Sequence, residues 1–183
     1  MKPERLQNLV GALALRLSDE IAEGAESLAP RDEPAAAIAL IGRSPGWTIR
    51  YLSEDLGLSH AATVRLVDRL VGDGLMMRAK STKDARAVEL SLTPAGQEIY
   101  QRILDARHER LAVALSCLSD AEKDALGAIA DKLLAAVAKG GACRSRICRF
   151  CDVQSCKTCP IDEALATAAT ATALCSRRSG ASD

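Results

Sequence analysis

Residues Trp47 to Gly96 read WTIRYLSEDLGLSHAATVRLVDRLVGDGLMMRAKSTKDARAVELSLTPAG. In the first half, Ile49, Leu52 and Leu56 recur at helical spacing and Gly57 supplies a stop, so the pattern predicts a short helix entered at Thr48. Ser59 then offers an N-cap to HAATVRLVDRLVGDG, where Val64, Val67, Leu70 and Val71 are expected to point inward. Two short helices separated by Gly-Leu-Ser are a helix-turn-helix, an arrangement whose second helix enters the major groove of duplex DNA.

After Gly72-Asp73-Gly74 the period changes from helical to alternating. Leu75, Met77 and Ala79 interleave with Met76, Arg78 and Lys80, and Val88, Leu90 and Leu92 interleave with Glu89, Ser91 and Thr93. The polar run Ser81 to Arg86 joins them, so a two-stranded wing with a basic tip is expected, bearing Lys80, Lys83 and Arg86.

Working outward, Leu6, Val10, Leu13, Leu17 and Ile21 form one stripe of a long first helix ending near Ser27. Asp32 and Pro34 open a second helix carrying Ile38, Leu40 and Ile41. Downstream, Thr93-Pro94 starts a helix running to about Cys117, with Ile99, Ile103, Leu104, Leu111 and Leu115 on one side; Cys117 itself is expected in the core. Ser119 and Glu122 make a capping box for a last long helix bearing Leu126, Ile129, Leu133, Leu134 and Val137. The fold class is mainly α, an α+β winged helix set in a helical dimerisation region with a small cysteine-rich appendage. The expected units are an N-terminal dimerisation helix (1–32), the winged helix-turn-helix (33–96), C-terminal dimerisation helices (97–140), a cysteine-rich site (141–162) and a largely disordered tail (163–183).

The 183 residues carry 24 Lys+Arg against 24 Asp+Glu, so the net charge is zero and only local charge can mark a nucleic-acid partner. No run approaches the roughly 18 apolar residues of a membrane span, and the start lacks a secretory h-region, so a cytoplasmic protein without a membrane partner is expected. Seven cysteines in such a setting suit metal or redox chemistry better than disulfides.

The stretches Leu52 to Arg78 and Lys83 to Gly96 resemble the MarR family of winged-helix transcriptional regulators, over roughly Leu6 to Val137. Asp84-x-Arg86 followed by an alternating strand and Leu-Thr-Pro-x-Gly carries the likeness. The resemblance implies a homodimer, its terminal helices interlocked, that presents two winged helices to a palindromic operator in double-stranded DNA, more often as a repressor. It also implies a small-molecule effector, whose pocket is expected near Trp47, Tyr51 and Leu15. Apolar stripes on the terminal helices, larger than a winged-helix core can cover, agree with a dimer.

For DNA contact the expected residues on the recognition helix are Ser59, His60, Ala61, Thr63, Arg65 and Arg69. Arg65 is the first choice for a base edge, since a guanidinium can bond guanine O6 and N7 together. Arg86 resembles the family arginine that enters the minor groove, and Asp84 its orienting carboxylate, while Lys80 and Lys83 suit phosphates.

The second chemistry is Cys148-x2-Cys151-x4-Cys156-x2-Cys159, with Cys143 as a substitute ligand. Each C-x2-C turn aims two thiolates at one ion, and two turns complete a tetrahedral zinc site. An iron–sulfur cluster is the alternative, because Cys143-x4-Cys148-x2-Cys151 and Cys159-Pro160 echo ferredoxin spacings. A thiol–disulfide switch and a purely structural zinc stand beside these. A different class of function, a redox or electron-transfer protein that docks through its winged helix, would use the same cysteines but has no need of Arg86 with Asp84. A hydrolase is disfavoured, since His60 and His108 lie in no nucleophile motif; an enzyme is not expected.

Overall fold

In a computed structural model the described residues are 2–26, 32–81, 87–139, 147–153, 155–156 and 158–167. The elements run α1 (Pro3–Glu26), α2 (Asp32–Arg43), β1 (Trp47–Thr48), α3 (Ile49–Leu56), α4 (His60–Gly72), β2 (Met76–Lys80), β3 (Val88–Leu92), α5 (Pro94–Leu115), α6 (Asp120–Lys139) and α7 (Pro160–Thr167). This is a mainly helical winged helix-turn-helix fold.

Local signals set most boundaries. Thr48 accepts a hydrogen bond from the Tyr51 amide at the start of α3, and Gly57 closes that helix in the left-handed region at φ 69°. Ser59 Oγ accepts from the Ala62 amide at 3.2 Å to start α4. Thr93 Oγ1 accepts from the Gly96 amide at 3.1 Å with Pro94 in the first turn of α5. At α6 one half of the expected capping box forms: the Ser119 amide donates to Glu122 Oε2 at 2.9 Å, while the Ser119 hydroxyl donates to the same oxygen at 2.7 Å, and these bonds hold the Glu122 carboxyl below its ordinary value.

The central post is α2. Its residues Ala35 to Ile41 are all buried, as expected of a helix apolar on every face, and Leu52, Leu66, Val67, Leu70, Met76, Leu90, Ile103 and Leu104 close around it. Packing is close enough that a Cβ on Gly42 would stand 2.6 Å from the Tyr100 ring. Along α1, Glu20 meets Arg110 of α5 at 2.8 Å.

The sheet has three strands, not two, in the order β1-β3-β2, all antiparallel. Trp47 pairs with Leu90 and Thr48 with Glu89, so the wing is anchored to the chain entering α3. In β2 the buried side chain is Met76, opposite Leu92, and Arg78 stands opposite buried Leu90. The apolar-looking Met77 and Ala79 are therefore on the outer face and exposed, while Leu75, just before the strand, is half-buried against the main core.

Two expectations are corrected at the C-terminal end. Residues 163–167, expected in a disordered tail, belong to α7, which packs on α6 around a second small core of Ala138, Cys148, Ile161 and Ala164. Its start carries Pro160 and, in the first turn, Asp162 and Glu163, all favourable to a helix N-terminus. Cys117, expected in the core, is exposed.

Candidate nucleic-acid interface and cysteine segment

The outward face of α4 carries Ser59, His60, Ala61, Arg65 and Arg69, all exposed. A helix can present them because its opposite face, Leu66, Val67 and Leu70, is fixed in the core. Thr63 is a correction: it is fully buried, and its hydroxyl donates to the Ser59 carbonyl at 3.1 Å. It lies four residues before Val67 and seven before Leu70, on the inward stripe, and serves the start of the helix instead of meeting a base.

The wing is locked to this helix by a contact that spacing alone does not reveal. Arg78 of β2 donates to Asp68 Oδ1 of α4 at 2.7 Å across the Gly72-Asp73-Gly74 turn. The exposed Lys80 continues outward on the same strand, and the Ser81 amide donates to the Ala87 carbonyl at 3.0 Å where the strands leave the sheet. Lys83, Asp84 and Arg86 lie outside the described residues. Behind the wing, the Thr93 hydroxyl donates to the Gly74 carbonyl at 2.6 Å, and a Cβ on Gly96 would sit 1.9 Å from the Leu75 carbonyl oxygen. The glycine of Leu-Thr-Pro-x-Gly is thus required by close approach of backbone to backbone.

The cysteine segment lies against α2, α5 and α6. The Cys151 amide donates to the Cys148 carbonyl at 2.9 Å, making the tight turn that brings the two thiols into hydrogen-bond contact. Cys148 is buried, Cys151 and Cys159 half-buried and Cys156 exposed; Cys143 lies outside the described residues. The shared hydrogen bond and burial push the Cys148 thiol up. The same bond, helped by Arg107 and Arg43, brings Cys151 down to about 6. Cys159 acts electrostatically on Cys148 and, with Cys151, on Cys156, whose thiol is raised chiefly by burial. Among the described residues no group of three or more His, Cys, Asp or Glu side chains is spaced to hold a metal ion.

Two contacts fasten this segment to the body: Arg43, ending α2, donates to the Cys148 carbonyl at 2.9 Å, and Phe150 packs on the main core. The Tyr100 hydroxyl is raised by burial and then by the negative charge of Asp152. A cavity of about 460 Å³ separates the segment from α1 and the helix-turn-helix, lined among others by Ile21, Asp55, Leu58, Arg107, Phe150 and Cys151. None of Trp47, Tyr51 and Leu15, near which an effector pocket is expected, lines this cavity, and Tyr51 and Leu15 are exposed.

Comparisons with known proteins agree with this geometry. A family model described as MarR family matches residues 35–88. The HTH-type transcriptional regulator BilQ of Clostridium symbiosum is 30% identical over 96 residues, covering 52% of this chain and 67% of that protein. The HTH-type transcriptional repressor MdtR of Bacillus subtilis is 26% identical over 117 residues, 64% of this chain and 76% of its own. Among solved structures, the YusO protein of Bacillus subtilis superposes with a TM-score of 0.61 at 25% identity, over 73% of this chain and 97% of that one. FabT of Streptococcus pneumoniae, solved in complex with DNA, shares the fold with a TM-score of 0.59 at 19% identity, over 70% and 94%.

Proposed function

The chain belongs to the MarR family of transcriptional regulators, which bind DNA and are not enzymes, and on that premise we propose that it acts as a homodimeric repressor on a palindromic operator. The observation that carries this reading is the exposed row Ser59, His60, Ala61, Arg65 and Arg69 on a capped helix whose wing is pinned to it by Arg78 and Asp68. Arg65 reads a base edge, Arg69 and Lys80 hold phosphates, and Arg86 with Asp84 and Lys83 extends the contact at the wing tip.

The second subunit is supported by what the single chain leaves uncovered. Leu6, Leu9, Val10 and Leu13 on α1, and Leu126, Ile129, Leu133 and Val137 on α6, are exposed side chains at helical spacing. Two such stripes on terminal helices exceed the isolated apolar residues normal on a monomer surface and suit a self-complementary interface. A two-fold dimer requires a two-fold site, with half-sites about one helical turn apart. Repression follows from occupancy alone, since a dimer seated across a promoter excludes the polymerase without any further surface, and MdtR is a named repressor. The C-terminal cysteines supply the control point, and a small-molecule effector has room in the cavity beside Cys151.

Selection of bound duplexes from a random pool, at fixed salt, tests the reading. Enrichment of a palindrome is expected, with two chains per duplex by sedimentation. Recovery of no sequence preference, or of one chain on an asymmetric site, would refute it.

A further inference from the structure

We propose that residues 147–151 are a strap between the α6–α7 pair and the winged helix: docked on the end of α2, they hold the winged helix at one angle to the terminal helices. The strap itself stands without DNA; only its effect on half-site spacing rests on the reading above.

That angle is supported unevenly. On one side α2 packs on α5, with Tyr100, Ile103 and Leu104 in the main core and the Tyr100 ring pressed against Gly42. On the other side lies the cavity of about 460 Å³, which has Ile21 and Ala22 of α1 in one wall and Asp55, Leu56 and Leu58 of the helix-turn-helix in another. A body packed along one side and open along the other can rock about the packed side, as hinged domains do.

The strap closes the open side. Ile147, Arg149, Phe150 and Cys151 all line the same cavity. One oxygen, the Cys148 carbonyl, accepts from the Cys151 amide at 2.9 Å, which closes the turn of the strap, and from the Arg43 guanidinium at 2.9 Å, which fixes that turn to the end of α2. Phe150 packs on the main core, and the Arg149 guanidinium lies 5.5 Å from the centre of its ring. Cys148 faces the other way: its buried side chain joins Ala138 of α6 and Ile161 and Ala164 of α7 in the second core, with Ile147 at the edge.

Neighbouring residues of the strap thus belong to two different cores. Rocking of the winged helix must either carry α6 and α7 with it or break the Arg43 bond and lift Phe150 away. Two contacts are few enough to open locally while both cores stay folded, which gives the strap a docked and an undocked state. In a two-fold dimer the angle it holds sets the distance between the two recognition helices, and so the spacing of half-sites that can be bound together.

The full chain is compared with Arg43→Met, Phe150→Ser and the double variant. Hydrogen exchange over 147–151 should quicken about fivefold or more in the double variant; unchanged exchange there would show that these two contacts do not hold the strap. The angle is read by electron–electron resonance between nitroxides attached through ketone-bearing residues at Ala61 of α4 and Lys132 of α6, leaving every cysteine unmodified and diluting the labelled chain in unlabelled chain. The parent should give one narrow distance, and the double variant a broadened or displaced one. The same narrow distance with the strap released would overturn the proposal. Should the double variant fail to fold, Arg43→Met alone is read in the same way. On duplexes whose half-sites are moved by one base pair, the parent should discriminate about tenfold and the double variant far less; equal weakening at every spacing, with discrimination intact, would overturn the link to spacing. A parent that selects no palindrome would refute the operator reading and leave the distance measurement standing.

Discussion

The guanidinium of Arg43, the last residue of the most buried helix, donates a 2.9 Å hydrogen bond to the carbonyl of Cys148, 105 residues further along the chain. A charged donor on a part-buried carbonyl contributes about 1.5–3 kcal/mol, enough to decide whether a segment with so small a core stays docked. Arg43→Met should therefore leave the melting of the main body nearly unchanged while raising protease cleavage within 147–167 several-fold. Equal cleavage in both proteins would show that Phe150 and α7 suffice without the arginine.

Gly96→Ala should be among the most damaging small substitutions in the chain. The added methyl would meet the Leu75 carbonyl at 1.9 Å, and that oxygen cannot retreat because the Thr93 amide donates to it at 3.1 Å. Overpacking against backbone costs roughly 2–3 kcal/mol, a shift of several degrees in Tm by calorimetry. A Tm within one or two degrees of the parent would contradict the close approach.

Arg65→Ala should lower operator affinity at least tenfold and relax preference at one base pair per half-site, consistent with about 1–3 kcal/mol for a bidentate guanine contact. Lys80→Ala should instead weaken all sequences alike and shallow the salt dependence. Binding isotherms on the selected site and on single-base variants separate the two; a uniform loss for Arg65→Ala would reassign it to phosphate. Arg86→Ala, in the sequence between the two wing strands, should also cost tenfold or more without unfolding the protein.

Exposed Leu13 and Ile129 stand on the two uncovered stripes. Leu13→Asp with Ile129→Asp should give monomers by sedimentation equilibrium and a severe loss of operator binding, while the helical circular dichroism signal persists. Dimers of unchanged affinity would move the interface elsewhere.

The Glu20 carboxyl lies below its ordinary value of 4.5 mainly through its hydrogen bond from Arg110. A depressed carboxyl stabilises the folded chain above the unfolded value, and that contribution disappears as pH falls through the folded one. Stability measured from pH 7 to pH 3 should thus fall less steeply in Glu20→Gln than in the parent. Parallel curves would show that the α1–α5 contact does not depend on this charge.

Much of the fold was legible before any packing was known. Thr48, Gly57, Ser59, Thr93-Pro94 and the Ser119–Glu122 box are read by backbone groups only three or four residues away, so their meaning is local. The switch from helical to alternating period after Gly74 marked the wing for the same reason. The Thr63 signal was also present, at four and seven residues before Val67 and Leu70, but its hydroxyl suggested a solvent-facing residue when the helix had in fact absorbed it in a bond to Ser59.

What the sequence by itself determined was the order and type of the elements, the outward row on α4 and the tight turn from Cys148 to Cys151, because each depends on periodicity or short-range hydrogen bonding. Tertiary structure alone decided that β1 joins the sheet, that Arg78 finds Asp68, that Gly96 must be glycine, and that the cysteine segment rests on Arg43 and, through Phe150, on the main core. Those contacts join residues from about ten to more than a hundred positions apart, and which side chains meet at such range is set by how whole elements pack, a choice no window of sequence contains.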